Sequence, residues 1–192
     1  MLQSSLVAPE NVLRTITNFA ETVRSRVQSQ QPQALLANLH QFFFEELGFI
    51  GNHTRYYEAG NSYLPTVLET RQGIPITLTL IYKGVAEHLG LQVRGINAPG
   101  HFLAAVDLPT ETMLVDSFYG GQVLSPDEAA TRVAQRIGQP PRNPQDLFPT
   151  ATHAQWLARI LTNLQGIFVT RGERGHLAAI TELQVALRDH LA

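Results

Sequence analysis

The chain contains no cysteine. That absence removes disulfides, thiolate nucleophiles and every cysteine-based zinc or iron–sulfur site, so packing alone must hold the fold. Charge is also sparse: 16% of the 192 residues are charged, against roughly 25% in an average globular domain, and the formal net charge is −2. No run of five like charges occurs, which excludes the electrostatic footprint of a phosphate-backbone binder, so no nucleic acid is expected as a partner. No window approaches the ~18 consecutive apolar residues of a membrane span. The first ten residues lack the basic start and apolar run of a signal peptide. The expectation is a cytoplasmic protein without membrane contact.

Apolar residues make up 44% of the sequence, and their spacing predicts the elements. Residues 11–27 repeat apolar side chains at helical intervals, and Pro32 opens a second helical stripe that runs to Gly48. Residues 49–60 read as loop. Asn61 or Ser62 then offers a cap for a short helix to Thr70, with Pro65 in its first turn. A longer, strongly apolar helix starts at Pro75 and stops at Gly90. Beyond Gly90 the period shortens, predicting strands at 91–97, 101–108, 112–117 and 122–124, joined by connections that suit antiparallel hairpins and are too short for parallel crossovers. Ser125-Pro126-Asp127-Glu128 is a capping box with proline at the first helical position. The expected organisation is an N-terminal helical region at 1–55, a core at 56–138, a proline-rich linker at 139–151 and a helical hairpin at 152–192 turning at Gly172 and Gly175. One hairpin cannot hide both of its apolar stripes, so Trp156, Leu157, Ile160 and Leu164 are expected to fold back on the core.

Seven histidines are present, and none forms His-Glu-x-x-His or a comparable ligand pair, so no metal and no cofactor is expected. His101 stands apart because it follows Pro99-Gly100 at the start of an apolar strand. Asp116 ends the next strand, and a hairpin would bring both to one end of the sheet. A carboxylate beside an imidazole is the orienting half of a catalytic triad, although such a pair is equally compatible with a structural hydrogen bond. Thr77 and Thr79 are the hydroxyls at the start of the Pro75 helix, where threonines also commonly back-bond within the helix.

The order of these motifs resembles the transglutaminase-like superfamily, in which a cysteine on a helix, a histidine on a strand and an aspartate on the next strand follow one another. More narrowly, Tyr56-Tyr57, Asn61-Ser-Tyr-Leu, the stretch from Val67 through Arg71-Gln-Gly-Ile-Pro-Ile-Thr, Pro99-Gly-His-Phe-Leu and Val115-Asp-Ser-Phe-Tyr-Gly-Gly resemble the bacterial SirB-type branch, itself similar to a domain of some eukaryotic F-box proteins. The tail, with Leu161-Thr-Asn-Leu-Gln before Gly172, resembles the tetratricopeptide-like end of the same bacterial proteins. The resemblance implies an α+β, papain-like core with an antiparallel sheet on a central helix. It places His101 and Asp116 on the histidine and aspartate positions. The nucleophile position falls near Pro75, with Thr77 the nearest hydroxyl along the chain, and Ser117 stands where the branch more often has proline. A core of this kind without its thiol implies a non-catalytic module for a peptide or protein partner, with Asn61, Pro75, Gly100 and Phe102 as binding residues. The alternative is a hydrolase or acyl transferase of altered chemistry, in which a His101/Asp116 dyad activates Thr77 or a water.

Overall fold

The computed structural model describes residues 8–138 and 147–188. The first apolar stripe forms α1 (Pro9–Arg26), which buries Val12, Ile16, Ala20 and Val23. Pro32 opens α2 (Pro32–His40) as expected, but the stripe does not continue as an α-helix to Gly48, because Gln41–Glu46 is a π-helical turn. Three consecutive phenylalanines explain the change: at about 100° per residue an α-helix cannot turn all of them inward. The wider turn buries Phe42 and Phe43 and leaves Phe44 stacked near Tyr82, with ring centroids 5.6 Å apart.

The expected loop at 49–60 contains a short ladder. Ile50–Gly51 (β1) pairs in parallel with Gln72–Gly73 (β2), and two residues are too few for any alternation to announce it. Asn61 and Ser62 do not cap a helix; they lie in a 3-10 turn, Ala59–Ser62, and α3 (Leu64–Thr70) follows from Tyr63 without a side-chain cap. Asn61 instead holds the loop before it, as described below.

The next helix, α4 (Pro75–His88), is the centre of the molecule. Its Leu78, Ile81, Tyr82, Val85 and Ala86 have no exposed surface. Beyond it the chain makes one four-stranded meander, β3 (Gln92–Ile96), β4 (Leu103–Asp107), β5 (Thr112–Asp116) and β6 (Gln122–Leu124), with every neighbour antiparallel. Strand alternation divides the side chains between two layers. Val93, Ala104, Val106 and Val115 join the cluster built on α4. Ile96, Leu103, Ala105, Leu114 and Leu124 pack on Ala129, which belongs to α5 (Pro126–Ile137). The expected capping box starts α5: Ser125 Oγ accepts from Glu128 N at 3.3 Å and Glu128 Oε2 accepts from Ser125 N at 2.8 Å. The chain is thus an α+β fold with an antiparallel sheet on a central helix and helices at both ends.

Of the expected linker, residues 139–146 lie outside the described residues, and residues 147–151 run along the sheet. Asn97 N donates to Pro149 O at 3.0 Å and Ala151 N to Gly95 O at 2.8 Å. Then follow α6 (His153–Arg171) and α7 (Arg174–Leu187), with Gly172 in the left-handed region at φ 68°. Trp156 and Leu164 of α6 are buried and Ile160 is half-buried, whereas Leu157 is 53% exposed. One residue on from Trp156 turns a side chain about 100° around the helix, away from the docked face. Among the described residues no helix is long and apolar enough to cross a membrane.

Candidate functional site

His101 and Asp116 meet at one end of the sheet. The turn before β4 brings Gly100 to φ 67°, and His101 N donates to Ala98 O at 3.1 Å, so the histidine sits two residues ahead of the strand and not on it. Arg159 of α6 fixes this turn from outside by donating to Asn97 Oδ1 and Ala98 O. Asp116 is the last residue of β5, antiparallel to β4. The His101 Nε2 to Asp116 Oδ2 distance is 2.8 Å, with His101 4% and Asp116 0% exposed.

Asp116 has further partners that the sequence did not announce. Its Oδ1 accepts from the backbone N–H groups of Phe118 and Tyr119, at 3.2 and 3.4 Å, and so caps the short 3-10 turn Ser117–Tyr119. Arg132 of α5 donates to the same Oδ2 that His101 approaches, at 3.1 Å, while its guanidinium lies 5.1 Å from the centroid of the Tyr119 ring. The carboxylate therefore has a permanent cation partner. One signal pointed to Arg132: it follows Ala129 by three residues and precedes Val133, which places it at the margin of the buried face of α5.

The other sequence-level candidates divide. Thr77 is fully buried; its hydroxyl accepts from Ile74 N at 3.3 Å and contacts Asn61 O at 2.7 Å and Ile74 O at 3.1 Å, so its single proton is committed to a carbonyl. It closes the first turn of α4 and makes no hydrogen bond to His101. The Asn61 side chain is equally occupied: Oδ1 accepts from Asn52 Nδ2 at 3.0 Å, and Nδ2 donates to the carbonyls of Arg55 and Tyr56. Buried Asn52, which the sequence reading missed, is the other half of that loop clamp. Phe102 is a core residue whose ring is tilted 58° against that of Trp156, with 4.3 Å between centroids.

Pro75 and Gly100 do lie beside the histidine. With Ile76, Phe102 and His101 they line a void of about 20 Å³, which is space for about one water molecule. His101 Nδ1 is buried and has no hydrogen-bond partner. On the other side of the histidine a larger groove of about 410 Å³ is lined by His101, Tyr119, Arg132 and Gln135. Among the described residues no three His, Asp or Glu side chains are grouped to hold a metal ion. The arrangement offers a rigid imidazole–carboxylate pair, an arginine and an aromatic ring around an open groove, with proline at the end of the helix that faces them.

A family model described as the transglutaminase-like superfamily matches residues 10–162. A UPF0162 protein of Xylella fastidiosa strain 9a5c is 34% identical over 157 residues, which is 80% of this chain and 56% of that protein. A UPF0162 protein of Pseudomonas aeruginosa is 27% identical over 183 residues, 92% of this chain and 64% of its own length. F-box only protein 21 of Mus musculus is 34% identical over 116 residues, 56% of this chain and 18% of that protein. The chain thus spans little more than half the length of the bacterial relatives it matches. No solved structure matches significantly.

Proposed function

The chain belongs to the transglutaminase-like superfamily, and from that premise we propose that its core is a non-catalytic module, of the SirB type, that binds a peptide or protein segment in the groove of His101, Tyr119, Arg132 and Gln135. One observation carries this reading: the helix end that would present a nucleophile has Pro75 beside His101, and the hydroxyl two residues on is sealed in the core. A hydroxyl with no general base in reach is a poor nucleophile. The groove has what a binding surface needs, an arginine and a tyrosine ring beside a fixed imidazole, and tyrosine and arginine are residue types that anchor interfaces well. The likeness to a segment of a much larger F-box protein is in keeping with a stretch that serves as a part.

A second reading rests on the unpartnered His101 Nδ1 and the one-water void beside it: a hydrolase in which the His101/Asp116 pair activates water. Two measurements separate them. Hydrolysis of a panel of activated esters and small amides is expected to proceed at the same background rate for wild type and for folded His101→Gln; a tenfold or greater loss in the variant, about 1.4 kcal/mol of transition-state stabilisation, would overturn the module reading in favour of the hydrolase. Peptides selected from a display library on wild type are expected to lose affinity for Tyr119→Ala and Gln135→Ala. Selected peptides that bind both variants undiminished would refute the groove assignment.

A further inference from the structure

A cavity larger than the groove at His101 lies elsewhere. About 630 Å³ opens between the Tyr56-Tyr57 loop, the 3-10 turn at Ser62 and one face of α6, within the range of small-molecule sites and far beyond the occasional water-sized void of a packed interior. Tyr56 and Asn163 line both this cavity and the small void at His101, so the two adjoin.

Its lining is apolar in bulk and one-sided in its polar groups. Ile74 and Ile167 supply aliphatic wall, and Tyr57 stands 79% exposed at its edge, an aromatic left in water. The threonines of α6 have spent their protons on the helix, Thr162 Oγ1 donating to Ala158 O and Thr170 Oγ1 to Gly166 O. Besides the hydroxyls of Tyr56 and Tyr57, three donors remain. The Ser62 hydroxyl is buried without a partner, in a residue only 4% exposed. Asn163 contributes an amide. Arg171, at the end of α6, is engaged by no ion pair or hydrogen bond among the described residues. Among the described residues no carboxylate lines the cavity, and Glu173 lies 2.8 Å from His176 Nδ1. Gly166 also borders the cavity, and a Cβ added there would meet no atom within 4 Å. Apart from proline, glycine is the poorest residue for the middle of a helix, and here it leaves the wall of α6 bare.

We infer that this cavity is a binding site for a small apolar monocarboxylate: an aromatic or aliphatic body against Ile74, Ile167 and Tyr57, and an anionic end met by Arg171, Ser62 and Asn163. A neutral apolar ligand would leave the buried Ser62 hydroxyl unmet and gain nothing from the Arg171 charge, and a cation would face Arg171. An extended peptide is disfavoured because the lining is loop, 3-10 turn and helix, with no strand edge to pair its backbone. The inference goes beyond the module reading, since it holds whether or not the groove at His101 takes a peptide.

Titration calorimetry on the full chain tests it with 1-naphthaleneacetate and its neutral counterpart 1-naphthaleneacetamide. Saturable one-to-one binding of the carboxylate is expected, with the amide at least roughly tenfold weaker, as for loss of a charge-assisted contact. Arg171→Gln should lower carboxylate affinity to that of the amide and leave the amide unchanged. Gly166→Leu should abolish both, with a melting temperature no lower than wild type, which shows that the helix still forms. Equal affinity for acid and amide, binding that survives Gly166→Leu, or no saturation by about 10 mM would each overturn the inference. So would a short peptide with a free C-terminal phenylalanine that binds where the naphthyl acid does not.

Discussion

Among the contacts that dock α6 on the core, one side chain packs against one glycine, and the pair can be tested together. Trp156 is 4% exposed and packs with Ile74, Ile76 and Phe102. Its indole lies so close over Gly95 of β3 that an added Cβ would fall inside the ring's van der Waals surface. Burying an aromatic of 150 to 250 Å² at about 25 cal/mol per Å² is worth about 4 to 6 kcal/mol, and measured Trp→Ala changes run about 3 to 5 kcal/mol. Trp156→Ala is therefore expected to cost about 4 kcal/mol. Gly95→Ala leaves the strand intact but must displace the ring, at a cost of about 1 to 3 kcal/mol. Once the indole is gone the same methyl has room, and alanine is the better residue in a strand interior by roughly 0.5 to 1 kcal/mol. Gly95→Ala should thus change sign in the Trp156→Ala background, with a coupling of about 2 kcal/mol or more. Urea denaturation of the four proteins, read as midpoints at constant m, measures it. Additivity within about 0.5 kcal/mol would refute the claim that the ring occupies the space over Gly95.

Two further outcomes follow from local chemistry. Burial pushes the His40 imidazole down to about 4, beside the Tyr82 hydroxyl at 2.8 Å, so between roughly pH 6.5 and pH 4 the unfolded chain binds a proton that the folded chain refuses. The contribution is full above pH 6.5 and is lost as the pH falls through that window, about 3 kcal/mol in all at about 1.4 per unit; His40→Gln should flatten the urea midpoint against pH there, and an unchanged slope would contradict the assignment. Ser125→Ala removes the capping box of α5 and should cost about 1 kcal/mol, seen as a lower melting temperature that Ser125→Asp restores; no difference between the two variants would show that the cap contributes nothing.

Much of the fold was legible because its signals are local and repeat along the chain. The shift of period after Gly90 gave four strands, and short connections made them antiparallel. Proline and glycine marked the ends of α4 and α5, and a capping box set the start of α5. Three features were illegible for physical reasons. The π-helical turn at Gln41–Glu46 arises from where three phenylalanines must go in space. The β1–β2 ladder has only two residues on each side. Leu157 reads as part of the docked stripe until Trp156 fixes which way α6 faces. At the site, strand ends and spacing were enough to bring His101 to Asp116. Arg132, Asn52 and the occupied hydrogen bonds of Thr77 and Asn61 depend on elements that meet only after folding.

The pairing of His101 with Asp116 does not by itself argue for chemistry, because Asp116 also holds the local backbone. One oxygen caps the 3-10 turn that places Phe118 and Tyr119, and Phe118 in turn packs so tightly on Gly51 that a Cβ there would stand 2.5 Å from its ring. The other oxygen receives Arg132 and His101. A fully buried carboxylate deprived of these donors would carry a desolvation cost with nothing to offset it, so the turn, the arginine and the imidazole depend on one another. None of these four donors depends on what stands at the start of α4. The His101–Asp116 pair is therefore accounted for on structural grounds alone, and what distinguishes a module from a hydrolase is the chemistry open to the other ring nitrogen, the buried Nδ1 that has no partner.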